Sequence, residues 1–140
     1  MKTFLRSVAA IFAGLIVLFT LLIAVEFFSA VVYPVPKDFG GTQEEMCRHV
    51  ERYPHWVLAV VVPMWTFAAF ASTWTARKIG NLTTATIVGL LVLAALVCNI
   101  AMLPYPMWFK IANLLVIPAA IFAAGRPGTR NQDIPVSHGG

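Results

Sequence analysis

The sequence predicts an all-α integral membrane protein, a four-helix transmembrane bundle with a short amphipathic helix in its outer loop. Three observations lead there. Residues 7–32, 55–76, 82–103 and 107–124 form apolar stretches with at most one charged side chain each. Each is long enough to cross roughly 30 Å of hydrocarbon as an α-helix. The 140-residue chain is 59% hydrophobic and 11% charged, about half the charge of a soluble domain. Its basic residues flank the apolar stretches, as topology signals do. There is room for one transmembrane domain, residues 1–124, followed by a polar Gly- and Pro-containing tail, 125–140, expected to be disordered and cytoplasmic.

The first span opens after Lys2 and Arg6, as a secretory signal would. Its apolar run from Ser7 to Val25 is longer than a signal's, and Phe28 is too bulky for a cleavage pattern ending at Ala30. It is therefore read as a retained helix. With four spans, Lys2, Arg6, Arg77, Lys78, Arg126 and Arg130 share one side, against Lys37, Arg48, Arg52 and Lys110 at the other. The excess lies in short flanks, where the positive-inside rule acts best, so both termini are expected in the cytoplasm.

The 33–54 loop then faces outward. Tyr33-Pro34-Val35-Pro36 stops the first helix, because proline lacks an N–H and restricts the residue before it. Gly40-Gly41 makes a turn. Thr42-Gln43-Glu44-Glu45 matches a capping box, which predicts a helix over 43–52. Met46, Cys47, Val50 and Tyr53 fall on its apolar face, and Glu44 and Arg48 can pair at i,i+4. Pro54 ends it.

The second span carries Pro63 as a kink and Ala68, Ser72 and Ala76 at a spacing that lets backbones approach closely. The third has Ala85 and Gly89 at the same spacing. Trp56 and Trp108 belong to the outer interface and Trp74 to the inner one. Tyr53-Pro54-His55-Trp56 and Tyr105-Pro106-Met107-Trp108 recur at the starts of the second and fourth spans. Two helix pairs related by an axis along the membrane normal would explain this, and so would the ordinary composition of helix starts at an interface.

Polar residues inside the spans supply the candidate site. Glu26 is the only acid in a span, roughly 10 Å below Tyr33 at the helical rise. Asn99 lies roughly 7 Å below Pro104. Lys110 and Asn113 share a face of the fourth helix, just inside its outer end. All four occupy one outer slab of the membrane. An ionisable group there needs a partner, which predicts that Glu26 pairs with Lys110, directly or through water, while Asn99 and Asn113 complete the hydrogen bonds. The cluster is either polar glue fixing helix register or a substrate or proton site.

The order Glu26, Tyr33-Pro34-Val35-Pro36, Asp38, Asn99 and Pro104-Tyr105-Pro106-Met107-Trp108-Phe109 resembles a family of small, uncharacterised four-span bacterial inner-membrane proteins. Those have Tyr-Pro-x-Pro after the first span and Pro-His-Pro-x-Trp before the fourth. Tyr105 stands where the family has His, which argues against an essential imidazole there. The resemblance implies a bacterial inner-membrane location and brings no activity with it.

Cys47 and Cys98 form neither a CxxC pair nor part of a metal set, which argues against a thiol oxidoreductase. No haem, zinc, phosphate-loop or nucleophile motif is present, so neither cofactor nor catalytic residue is expected. No basic run interleaved with aromatics suggests nucleic acid. The expected function is non-enzymatic binding of lipid, a membrane protein partner or a second copy. The alternative is a small transporter or channel component using Glu26.

Overall fold

A computed structural model describes residues 1–127, the expected tail beyond Pro127 lying outside them. Five helices follow one another: α1 Lys2–Val32, α2 Gln43–Glu51, α3 His55–Ile79, α4 Leu82–Met102 and α5 Met107–Gly125. All but α2 are long and apolar enough to cross a membrane. The chain is thus a four-helix, multi-pass membrane bundle. α1 starts five residues before its expected N-terminal bound and α3 ends three past its expected C-terminal one, since basic side chains at an interface tolerate helix as well as coil. α5 takes in Gly125, the first residue of the expected tail.

Arg6 Nε donates to the Ile79 carbonyl at one end of the bundle. His55 and Trp108, the starts of α3 and α5, meet at the other, the cap end. α3 is central. It packs on α1, α4 and α5, while α4 packs on α1 and α5, and no Cα of α1 comes within 8 Å of one of α5. Accordingly α3 buries a broad band that includes Val57, Val61, Ala68, Ser72 and Ala76. α1 buries a single stripe of Ala10, Gly14, Leu18, Val25 and Ser29.

In lipid, helices gain little from hiding apolar surface, because acyl chains are as apolar as leucine; close packing and hydrogen bonds decide association. The half of the bundle nearest the termini is built that way. Gly14 sits so close to α3 that an added Cβ would lie 2.9 Å from the Ser72 carbonyl oxygen and 3.3 Å from a Val88 methyl. Ala68, Ser72, Ala76 and Ala85, the small residues expected at interfaces, are all buried. The α3–α4 turn is pinned by a second capping box, Asn81 with Thr84, whose hydroxyl also lies 2.9 Å from the Ala76 carbonyl oxygen.

α3 continues through Pro63, and α5 through Pro118. The two Tyr-Pro segments adopt matching geometry: Pro54 and Pro106 are both N-caps, with φ near −58° and −57°. The resemblance stays local. A twofold axis exchanging α1 with α4 and α3 with α5 would require α1 to meet α5 as α3 meets α4, and it does not.

The 33–54 loop is folded. Thr42 accepts from the Glu45 N–H, and the Glu45 carboxylate accepts from the N–H groups of Thr42 and Gly40. Gly41 takes φ +79°, the left-handed conformation that glycine adopts without steric cost. Glu44 and Arg48 form an exposed ion pair. One detail of the apolar face differs from expectation. Met46 is exposed, and His49 turns inward beside buried Val50. The reason is aromatic: the His49 ring stacks on Tyr33 with centroids 4.7 Å apart and meets Tyr53 edge-on at 5.2 Å.

Candidate functional site

Beneath this cap lies a cavity of about 290 Å³ between α1 and α4, with Trp65 of α3 and Ile117 of α5 completing its wall. α1 contributes Leu18, Leu22 and Glu26, and α4 contributes Val92, Ala95, Leu96 and Asn99. Both helices run toward the cap end. Glu26 and Asn99 are therefore the outermost residues of their strips, one or two turns above leucines and a valine. The cavity is polar at its outer end and apolar in depth.

Its polar groups are short of partners. Asn99 is half-buried, and its Oδ1 is buried without a hydrogen-bond partner. Glu26 is exposed, and the Arg48–Glu44 pair is the one ion pair among the described residues. The predicted direct pairing of Glu26 with Lys110 is thus not formed. Depth along the membrane places the two at one level, but Glu26 is on α1 and Lys110 on α5, helices whose Cα atoms stay more than 8 Å apart with α3 packed against both. Asn113 is fully buried one turn outward from Ile117. Its amide donates to the Phe109 carbonyl oxygen at 2.8 Å, and its Oδ1 has no partner. Of the four expected residues, the fold brings Glu26 and Asn99 to one cavity; Lys110 and Asn113 do not line it.

Two tyrosines that do not line the cavity still feel its acid. The Tyr53 phenol is pushed above its usual range by burial first and by the negative charge of Glu26 second. Tyr105 is raised further, again by burial and then by Glu26. Both residues start helix-entry segments, so the recurrence of Tyr-Pro was the signal available. The Tyr105 ring meets Trp65, which does line the cavity, edge-on at 6.2 Å and lies 4.7 Å from Phe109. Trp108 donates its indole N–H to His55 Nδ1 at 3.0 Å, tying the start of α5 to that of α3.

Cys47 is half-buried, 4.0 Å from the Met102 carbonyl oxygen, and Cys98 is exposed; both are free thiols. Among the described residues no three of His, Cys, Asp and Glu gather as metal ligands would. The arrangement can accept hydrogen bonds and hold an apolar body below them. No protein-family model, curated protein or solved structure matches the chain.

Proposed function

We propose that this is a non-enzymatic membrane protein that binds an amphiphile from the surrounding leaflet in the cleft between α1 and α4. The observation that carries the proposal is the polarity of that cleft: Glu26 and Asn99 at its outer end, Leu18, Leu22 and Val92 deeper. A lipid in the cap-side leaflet has the same polarity, head outward and chain inward. The volume sits at the lower edge of small-molecule sites, roughly 300–1,000 Å³, which suits part of a lipid better than a whole enclosed ligand.

The setting we infer is a bacterial inner membrane with both termini cytoplasmic. Lys2, Arg6, Arg77, Lys78 and Arg126 gather at the terminal end, in short flanks where positive charge favours the cytoplasm. The cap then faces outward. A lipid carrying a photoreactive acyl chain tests the binding reading. Labelling should concentrate on the segments holding Leu22 and Leu96. Labelling spread evenly over outward-facing Phe12, Phe19 and Phe27 would mean ordinary annular lipid and would overturn it.

That Glu26 has no ion-pair partner among the described residues favours a second reading, a small transporter that loads this acid with a proton or substrate. Substrate uptake into vesicles that disappears in Glu26→Gln, with labelling unaltered, would select it.

A further inference from the structure

Resting on the cleft reading above, we propose that the occupant is a phospholipid whose head carries a primary ammonium, held by Glu26 and Asn99. The site offers acceptors and negative charge. Glu26 supplies a carboxylate with no ion-pair partner among the described residues. Asn99 supplies a buried Oδ1 that no donor reaches. A buried acceptor without a donor is costly, and such groups are ordinarily paired. The ligand should therefore bring both positive charge and N–H donors. A primary ammonium has three N–H groups and no acceptor, so one can meet Glu26 and another Asn99. A quaternary ammonium carries charge but no N–H, and would leave Asn99 as it is. An anionic head would face Glu26 with like charge.

Depth agrees with this choice. Glu26 lies six residues before the end of α1, roughly 9 Å at the helical rise. The 31 residues of α1 span roughly 46 Å, against a hydrocarbon core of roughly 30 Å. If the excess is shared between the two ends, Glu26 falls near the boundary of head groups and acyl chains. That is where a phospholipid amine can reach down while its chain follows Leu22, Leu18 and Val92 inward.

The test is native mass spectrometry of the full chain, released from micelles containing phosphatidylethanolamine, phosphatidylcholine or phosphatidylglycerol with identical acyl chains. The wild-type protein should retain phosphatidylethanolamine about tenfold better than either other lipid, the size expected of a charge-assisted hydrogen bond. Glu26→Gln should erase the preference, Glu26→Asp should keep most of it, and Asn99→Leu should raise phosphatidylcholine to near parity. Equal retention of all three lipids by the wild type, or an unchanged preference in Glu26→Gln, overturns the ammonium assignment. Leu22→Trp, which fills the cavity and leaves Glu26 in place, separates the two levels. Retention without preference that Leu22→Trp abolishes sinks the ammonium and leaves the cleft. No saturable retention of any lipid by the wild type sinks both.

Discussion

A single carboxylate organises the cap. Glu45 closes the capping box and also accepts from the Gly40 N–H. The backbone N–H of Thr42, first among the causes, holds its carboxyl below the usual Glu value of 4.5. Because the folded group is the stronger acid, its contribution to cap stability is complete above that value and is lost as pH falls through the lowered one. Amide-exchange protection over 43–51 should thus hold steady from neutral pH to about 4.5 and fall below it. Protection that declines on the alkaline side instead would contradict this. Thr42→Ala should weaken the same helix by roughly 0.5–2 kcal/mol, seen in the same protection factors. At Gly14 the constraint is steric. A Cβ 2.9 Å from the Ser72 carbonyl oxygen meets backbone that cannot rotate aside. Gly14→Ala should lower stability by about 1–3 kcal/mol in a thermal melt in detergent, and a melt equal to wild type would show that α1 and α3 are not so close.

At the scale of elements, the capping box over Thr42–Glu45 was legible because Thr and Glu at that spacing form a recognised pattern with a known geometry. The matching box at Asn81–Thr84 was not, since its third helical position holds Thr in place of Glu or Gln. The four spans were legible from length and apolarity, with ends displaced by a few residues. The packing stripe of α1 was not. Ala10 and Gly14 are set among Phe, Leu and Ile on every side, and lipid asks for the same side chains as the interior, so hydrophobic periodicity carries no direction there. The small-residue faces of α3 and α4 could be read because size, unlike apolarity, distinguishes a helix contact from lipid. In the cap, alternation marked Val50 as inward, but the stacking of His49 between Tyr33 and Tyr53 depends on where two other segments end.

Across the whole molecule, sequence fixes depth well and adjacency poorly. The rise per residue put Glu26, Asn99, Lys110 and Asn113 in one slab, and two of them do line one cavity. Which helices are neighbours depends on packing. α3, with its run of small residues, takes the centre and keeps α1 from α5. Glu26 and Lys110 should consequently behave independently. In thermal melts the effects of Glu26→Gln and Lys110→Met should add to within about 0.5 kcal/mol in the double variant, whereas a larger coupling would return the two to direct contact. Reporter fusions at Gly140 and within Gly40-Gly41 should give opposite sides of the membrane, as an even number of spans with a loop between the first two requires. The claim on which the rest turns is that the α1–α4 cleft takes up lipid. The most direct test is lipid retention by the wild-type protein against Leu22→Trp in matched micelles, with thermal melts confirming that both are folded. The cleft account predicts about one saturable lipid per wild-type chain and none on the variant; equal retention by two folded proteins would contradict it.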